Sequence, residues 1–431
     1  MRWKTNTYSG WGRALTASGQ LARPERQSQV TPTAPAIGNR RSYGDAALNS
    51  GGRAMDMTRL DRILEFDTRT GDIHVEAGCT IGDLARVLPT RGWLPRVMPG
   101  TGFATVGGCI AMDVHGKNHH HAGSFGGHVR EITLLTPDGP RVIAPDDTSI
   151  WRATIGGLGQ TGVIASARLS LMAVPGRTMK VHERRAENFD EHIAMLDASQ
   201  ATFCVGWVDA AATGASLGRG IVEEAETSGA EAKHRTKTRT IPFDAPGFAL
   251  SAPMVRMFNT LYYRRVPADG QFVIRPIEDF FFPLDRVHDW NRLYGKTGFH
   301  QFQCVVPTNE RYALRGMLGA IAEAGAASPL AVLKRMGPAE SGHLSFAKEG
   351  FTLAVDFPNR GATPELIAHL IAQTIEANGR VYLAKDSLST AAQARAMYTH
   401  LPEWAATVND IDPERRLETD LTRRLALRTA I

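Results

Sequence analysis

Glycine and histidine are concentrated in one stretch of this chain, residues 99–129, which reads PGTGFATVGGCIAMDVHGKNHHHAGSFGGHV. Eight of its residues are glycine, and a backbone without side chains can approach a ligand closely and present its amides to an anion. Two more glycine-rich turns, GNRRSYGD at 38–45 and GGLGQTG at 156–162, flank this stretch. Three such turns in one segment predict a site for the phosphates of a dinucleotide.

The spacing within these turns excludes one common class of dinucleotide site. None of them has the pattern GxGxxG between a strand and a helix, so the fingerprint of a nicotinamide-binding Rossmann fold is absent. A flavin held by a different fold is therefore the better prediction.

The consecutive histidines at 119–121 have two other interpretations, a zinc site and a solvated polar loop. Histidines adjacent in sequence do not easily point at one ion, and no HExxH spacing occurs, so we predict no metal site. The rival from another functional class is a non-enzymatic metal or nucleotide sensor built around this run. Such a protein would bind metal without a yellow chromophore.

Composition limits the partners. The chain has 431 residues, which favours two domains, and its 43% hydrophobic and 22% charged residues are typical of a soluble globular protein. The 49 basic and 44 acidic residues give a net charge of +5 without a polybasic block, so we predict no nucleic-acid partner. A weak attraction to anionic lipid or to a phosphorylated substrate is compatible with this balance.

Cysteine spacing and apolar runs indicate the compartment. Four widely separated cysteines without a CxxC pair predict reduced or buried thiols. The N-terminal residues lack the apolar run of a signal peptide, and no uncharged apolar run of about 20 residues could span a membrane. We predict a cytoplasmic protein and leave peripheral membrane contact open.

Strands separated by turns dominate the first part of the chain. Residues 1–35 are polar and predict an extended lead-in, whereas 38–175 predict short strands between turns. IGDLARVLPTRG, at 81–92, predicts a short amphipathic helix that ends before Gly92.

After residue 175 the pattern changes to strands that alternate with helices near 310–325 and 364–379, which is typical of a substrate-binding cap. Residues 221–240 are charged and poor in large apolar side chains, which predicts an exposed, mobile loop. Residues 248–265 are apolar with basic residues at the end. They could face a lipid, but buried packing is the commoner explanation and our prediction.

The motifs RSYGD, PGT, TVGG, HGKNHH, AGSFG and YLAKDS together resemble the decaprenylphosphoryl-β-D-ribose 2'-oxidase family of vanillyl-alcohol-oxidase-type FAD proteins. The resemblance runs from residue 10 to the C-terminal helices. It implies an α+β fold with a bipartite PCMH-type FAD-binding domain at 1–176 and 380–431. An antiparallel sheet-plus-helices substrate (cap) domain would occupy 177–379.

The same resemblance implies a reaction, the FAD-dependent oxidation of the 2'-hydroxyl of a polyprenylphosphoryl-β-D-ribose to a 2'-keto sugar. An NAD(P)H-dependent keto-reductase partner would then complete the epimerisation to polyprenylphosphoryl-arabinose for arabinan synthesis. The rival within the same fold is an oxidase of free alditols or sugar acids.

The residues implied for FAD lie in the glycine-rich turns and near them. They are Gly38, Asn39, Arg40, Arg41, Ser42, Tyr43, Gly44, Gly100, Thr105, Val106, Gly107, Gly108, Met112, Asp113, His115, Ile164 and Tyr382. Many relatives tether FAD through a histidine before the serine of the first turn, and this chain has Arg41 there. We therefore predict non-covalent FAD, and the missing histidine argues against the alditol or sugar-acid oxidase.

The residues implied for catalysis are Lys385 at the reacting carbinol, Tyr43 across the flavin ring and His115 beside it. Removing a hydride and a hydroxyl proton requires a cationic or deprotonatable group near the carbinol oxygen. The alternative for Lys385 is a surface lysine paired with Asp386.

The implied sugar-phosphate pocket is lined from the cap. Gln301 and Gln303 alternate along a strand and so share one face. The predicted substrate-binding residues are Lys117, Trp207, Gln301, Gln303, Lys334 and Lys385. For Lys334 an ordinary surface lysine is the alternative. In LAVDFP this chain has Ala354 where mycobacterial relatives carry cysteine.

Overall fold

The computed structural model describes residues 2–232, 238–326, 328–338 and 341–429. The first segment of the fold is mainly strands. Its strands are β1 Lys4–Ser9, β2 Thr16–Ala22, β3 Ala36–Ile37, β4 Arg53–Asp56, β5 Ile63–Asp67, β6 Asp72–Glu76, β7 Trp93–Pro95, β8 Val129–Thr136, β9 Gly139–Ile143 and β10 Val163–Ala173. Its helices are α1 Ile81–Val87, α2 Val106–Ala111, α3 His119–Ala122 and α4 Thr148–Thr154.

The first sheet, in the order β1-β2-β4-β3, includes residues that we predicted to be an extended lead-in. That prediction is wrong, because β1 and β2 pair antiparallel and β2 continues the sheet in parallel with β4. Tyr8, Ala17 and Ala22 are buried. Only one side of this hairpin is covered, and its buried residues are mostly small, so its composition resembles that of a polar loop.

The second sheet has the order β5-β6-β10-β8-β9, with β7 also paired to β10. The predicted helix at 81–92 is confirmed as α1 followed by a 3₁₀ turn that ends at Gly92, whose φ is 80°. Thr80 caps α1, since its side chain accepts a hydrogen bond from the Asp83 amide.

The strands of the middle segment are β11 Thr178–Ala186, β12 Phe203–Val208, β13 Gly220–Ser228, β14 Arg239–Thr240, β15 Gln271–Pro276, β16 Val287–His288, β17 Phe299–Pro307, β18 Ala331–Met336 and β19 Gly350–Pro358. Seven of them form one large sheet with β20 Arg380–Val381, in the order β15-β11-β13-β12-β18-β19-β17-β20, while β14 and β16 pair with each other. Its helices are α5 Phe189–Ala198, α6 Ala252–Arg264, α7 Ile277–Phe281, α8 Arg311–Ala324 and α9 Thr363–Glu376. The predicted alternation of strands and helices is confirmed.

The two faces of this sheet differ. Phe302, Cys304 and Leu353 belong to an apolar core that also contains residues of α8 and α9. Residues paired across neighbouring strands point the same way, so the strand register identifies the residues of the opposite face, which we call the inner face. This face carries polar residues. Trp207, Gln301, Gln303, Lys334 and Asp356 lie on the inner face.

The C-terminal segment returns to the first segment. It contains β20 Arg380–Val381, α10 Ala391–Met397, α11 Leu401–Ile411 and α12 Asp420–Arg424. The Trp404 indole donates to the Ala153 carbonyl at 3.2 Å, and Arg424 pairs with Asp45 at 2.7 Å. The fold is therefore α+β, as predicted. The domain boundaries stay a prediction, and β20 extends the large sheet beyond residue 379.

Two predictions about the middle segment are corrected. Residues 221–228 of the predicted loop at 221–240 belong to strand β13, which pairs with β11 and β12; residues 233–237 lie outside the described residues. The apolar stretch at 248–265 forms α6 but leaves large apolar side chains exposed, so our prediction of buried packing is wrong there. Among the described residues, no helix has the length and apolar character needed to cross a bilayer.

Candidate active site

The loop 38–44 is held in place by two close backbone contacts. A Cβ on Gly38 would lie 2.3 Å from Oγ1 of Thr105, and a Cβ on Gly44 would lie 1.9 Å from the Asp386 carbonyl oxygen. Only glycine fits at these positions. The Tyr43 amide also donates to the Ala384 carbonyl at 2.9 Å. The first glycine-rich turn is thus fastened to TVGG and to YLAKDS, which are distant in sequence.

The same loop presents unused donors. Within the described residues, no backbone amide from Asn39 to Ser42 donates a hydrogen bond, and Arg40 has a positive φ of 51°. Consecutive free amides around a left-handed residue form a concave anion site. This geometry fits the pyrophosphate of FAD.

Arg41 occupies the position of the missing tethering histidine. Its guanidinium carbon lies 4.0 Å from the ring centre of Trp11 and 4.5 Å from that of Phe103. Its buried Nε has no partner within the described residues, and burial lowers the pKa of the side chain. Asn39 is anchored by its amide, which donates to the Phe103 carbonyl at 3.0 Å. An unpaired buried cation donor fits an anionic cofactor.

The TVGG segment, residues 105–108, contributes few free backbone amides. The Val106 and Gly107 amides donate to the carbonyls of Cys79 and Ala77, both at 2.8 Å, and the Gly108 amide donates to Thr105 Oγ1. Close approach of TVGG to the flavin's phosphate and ribityl chain stays a prediction. The free amides lie in the loop 38–44.

His115 lies at the centre of the histidine-rich segment and is buried. Nε2 of Gln303 donates to its Nε2 at 3.0 Å, which places the proton of the neutral ring on Nδ1. That Nδ1 has no partner within the described residues. Burial, together with the charges of Lys334 and Lys385, holds the pKa of His115 well below its usual value. The imidazole is therefore a neutral donor.

Lys385 and Tyr43 are in direct contact, and their placement on two sides of a flavin ring stays a prediction. Nζ of Lys385 lies 3.5 Å from the centre of the Tyr43 ring. Burial raises the pKa of Tyr43 well above its usual value, so its hydroxyl keeps its proton. Burial lowers the pKa of Lys385 to about 7, and the charge of Asp356 opposes that shift. Lys385 can therefore exchange a proton near neutral pH.

Lys334 lies near both Lys385 and Lys117, and the charge of Glu223 acts on Lys117. Burial and the charges of Lys117 and Lys385 lower the pKa of Lys334 to about 7. Lys117 lies over the ring of Phe280, 3.9 Å from its centre, and burial lowers its pKa to about 8. Mutual repulsion between buried ammonium groups is relieved when an anion binds between them. The cluster is therefore suited to a phosphate.

Several other predicted residues border the site. Tyr382 is buried with its ring centre 5.2 Å from that of His115, and its hydroxyl donates to the Met112 carbonyl at 3.0 Å. Gln301 donates to Asp356 on the neighbouring strand. Trp207 shares the inner face with Gln303 but lies three strands away, on β12.

Three predicted residues have other local surroundings. Asp113 is buried and accepts from the Gly126 amide and the Ser345 hydroxyl, so its carboxylate holds the loop in place. Ile164 belongs to the core of the second sheet. Gly100 is exposed, and a Cβ there would meet open space.

The three adjacent histidines have separate partners. His119 interacts with Ser124 at 3.2 Å and accepts from the Gly337 amide at 3.0 Å. His120 faces the Ala201 carbonyl at 3.0 Å, and His121 packs against the His120 ring. These contacts position the loop beneath β18.

Asp356 is the functional residue that sequence reasoning missed. It is buried, lies on the inner face opposite Gln301, and accepts from the Tyr294 hydroxyl at 3.3 Å. Burial raises the pKa of this carboxyl. In LAVDFP, Asp356 follows Ala354 by two residues and therefore points to the same face of the strand. This alternation could have identified Asp356 from the sequence.

Comparisons with known proteins fit this geometry. A family model for an FAD binding domain matches residues 33–144. The chain is 35% identical to the decaprenylphosphoryl-beta-D-ribose oxidase of Mycolicibacterium smegmatis, over 98% of each chain. It is 31% identical to an uncharacterised protein of Streptomyces coelicolor over 81% of this chain and 100% of that one. A D-lactate dehydrogenase of Anaerostipes hadrus is 28% identical over 35% of this chain and 33% of its own. The cofactor of this chain is therefore FAD.

Proposed function

This chain belongs to the decaprenylphosphoryl-β-D-ribose oxidase family, and on that premise we propose that it oxidises the 2'-hydroxyl of a polyprenylphosphoryl-β-D-ribose to a ketone. It is an FAD-dependent oxidoreductase. The proposal extends to a partner, an NAD(P)H-dependent reductase that returns the keto sugar as the arabinose epimer. It also includes peripheral contact with the membrane that holds the lipid-linked substrate.

The observation that carries the proposal is the lysine cluster beside the FAD loop. Lys334 supplies a charge for a sugar phosphate, while Lys385 touches Tyr43 of the loop 38–44. Lys117 adds to the positive potential at Lys334, although Glu223 offsets part of its charge. An oxidase of an uncharged alditol has no use for a second buried lysine beside the base. The cluster therefore favours an anionic sugar.

Oxidation of a secondary alcohol removes a hydride from carbon and a proton from oxygen. Bound FAD supplies the hydride acceptor. Lys385, as the neutral amine, accepts the hydroxyl proton as the carbon–oxygen double bond forms. Asp356 then stabilises the resulting ammonium, because its charge acts on Lys385. Tyr43 retains its proton and can donate to the sugar.

His115 acts as a fixed neutral donor in this scheme. Gln303 occupies its Nε2, so Nδ1 remains available for an acceptor on the cofactor or sugar. A neutral donor adds no further positive charge to the lysine cluster. The positive charge that faces the phosphate therefore comes from lysine and not from His115.

FAD is bound without a covalent link in this proposal. The loop 38–44 contains no histidine, and Arg41 stacks between two aromatic rings at the tethering position. Charge-assisted hydrogen bonds to the pyrophosphate would supply the affinity instead.

Anaerobic flavin bleaching tests the function. A polyprenylphosphoryl-β-D-ribose should bleach the flavin band of the purified protein and yield the 2'-keto sugar. A free alditol and a sugar acid serve as the other arms. Faster bleaching by either of them would replace the proposal with the alditol or sugar-acid oxidase.

A further inference from the structure

Helix α6 exposes its apolar side. Met254, Met257, Phe258 and Leu261 follow the spacing i, i+3, i+4, i+7 and form one stripe, here called the α6 stripe, whose side chains are 42–65% exposed. The helix packs inward through Val255 and Asn259, which are buried. A surface helix of a soluble domain normally has the reverse arrangement.

The segment before α6 enlarges the apolar area. Phe243 is 67% exposed and Phe248 is 71% exposed. This segment is well anchored, because Asp244 pairs with Arg13 at 2.7 Å and Arg360 donates to the Gly247 carbonyl at 2.7 Å. These phenylalanines therefore stand on a supported surface.

The segment that carries the stripe is basic. Residues 241–265 contain three arginines and a single acidic residue, Asp244, which is paired with Arg13. Arg264 follows Leu261 by three residues and so lies beside the stripe; it is exposed and forms no ion pair within the described residues. An apolar stripe with an exposed arginine beside it matches an anionic lipid surface.

The position of α6 connects this surface to the pocket. Tyr262 packs against Trp207, with ring centres 4.7 Å apart, and Trp207 lies on the inner face with Lys334 and Gln303. Helices α8 and α9 cover the other face. The exposed stripe is thus on a helix that packs against the same face of the sheet as Lys334 and Gln303.

We propose that the α6 stripe, with Phe243 and Phe248, docks on an anionic lipid bilayer and brings the pocket to its lipid-linked substrate. This inference rests on the proposed function only for the reason to dock. The docking itself follows from the exposed apolar surface and its charge.

Vesicle flotation with the FAD-loaded full chain tests the surface. Wild type should float with phosphatidylglycerol/phosphatidylcholine vesicles and less with phosphatidylcholine alone. Combining Met254→Ser, Phe258→Ser and Leu261→Ser should lower the partition coefficient roughly tenfold or more, because three large apolar contacts are lost. Arg264→Gln should lower it roughly fivefold on anionic vesicles only.

A matched control removes the same kind of residue elsewhere. Ile63, Leu64 and Val142 are 44–58% exposed on the second sheet, and their triple serine variant should float like wild type. Equal flotation of the stripe variant and wild type overturns the proposal. A second result also overturns it: wild type is a dimer, the stripe variant is a monomer, and the two float equally. The stripe would then bind a second copy of the chain and not a membrane.

A separate readout distinguishes docking from catalysis. The stripe variant should bleach normally with a water-soluble ribosyl phosphate in the absence of vesicles. Stripe-dependent flotation without any bleaching by ribosyl phosphates would remove the oxidase and keep the docking surface. Normal bleaching with stripe-independent flotation would keep the oxidase and remove the docking surface.

Discussion

Replacing Lys385 with methionine should stop proton removal while leaving FAD bound. Methionine keeps most of the apolar packing over the Tyr43 ring, where Nζ of Lys385 lies 3.5 Å from the ring centre. It removes the amine that would accept the hydroxyl proton. The free amides of the loop 38–44 are untouched by this change, so the protein should stay yellow.

The magnitude follows from the pKa. A lysine with its ordinary pKa of about 10.4 is neutral in roughly one molecule in two thousand at pH 7. Burial lowers the pKa of Lys385 to about 7, so a far larger fraction of the free enzyme carries the neutral amine. Removing a general base typically costs ~10²–10⁴-fold. We expect Lys385→Met to slow flavin reduction at least ~10²-fold.

Stopped-flow bleaching at several pH values measures this step. The wild-type rate should fall about tenfold per pH unit below pH 7, because protonation removes the base, and the variant should lose this dependence. Lys296→Met changes an exposed lysine and serves as the control. A yellow Lys385→Met protein that bleaches within a few-fold of wild type refutes the assignment, and a colourless one moves Lys385 to the cofactor site.

Three further changes test other parts of the site. Lys334→Gln should raise KM for the ribosyl phosphate roughly tenfold with little change in kcat, because it removes ground-state charge; a lower kcat at constant KM would contradict this. Arg41→Gln should weaken FAD binding roughly tenfold in a fluorescence titration. Acid precipitation of wild type should release FAD, and flavin that stays in the pellet contradicts the prediction of non-covalent binding. Gly44→Ala places a Cβ 1.9 Å from the Asp386 carbonyl oxygen and should cost about 2 kcal/mol, lowering Tm by several degrees. Gly100→Ala, which meets open space, is its control, and an unchanged Tm for Gly44→Ala rejects the contact.

The glycine-rich turns were predictable from sequence, but which of their backbone amides are free to bind an anion was not. Glycine spacing indicates where a backbone can approach a ligand. It does not indicate which amides are already used. TVGG has the more conspicuous glycines, yet the Val106 and Gly107 amides donate to the carbonyls of Cys79 and Ala77, whereas the free amides lie in the arginine-containing loop 38–44.

Helix α6 shows a second limit. Its periodicity was evident in residues 248–265, and a period of 3.6 does reveal that an apolar stripe exists. The direction of the stripe depends on what packs against the helix. Here Trp207 and Asp209 bind the polar and aromatic side, through Tyr262 and Asn259, so the apolar stripe faces outward.

The lysine cluster explains how one site can bind an anion and still contain a base. Repulsion from its neighbours adds to burial in lowering the pKa of Lys334, so a bound phosphate that offsets their charge raises it again. The pKa of Lys385 is lowered first by burial, which a bound lipid-linked sugar increases by excluding water. We therefore expect binding to separate the two lysines, leaving Lys334 protonated against the phosphate and Lys385 neutral at the hydroxyl. Because burial lowers the pKa of both lysines to about 7, phosphate capture should weaken as the pH rises and proton removal should weaken as the pH falls.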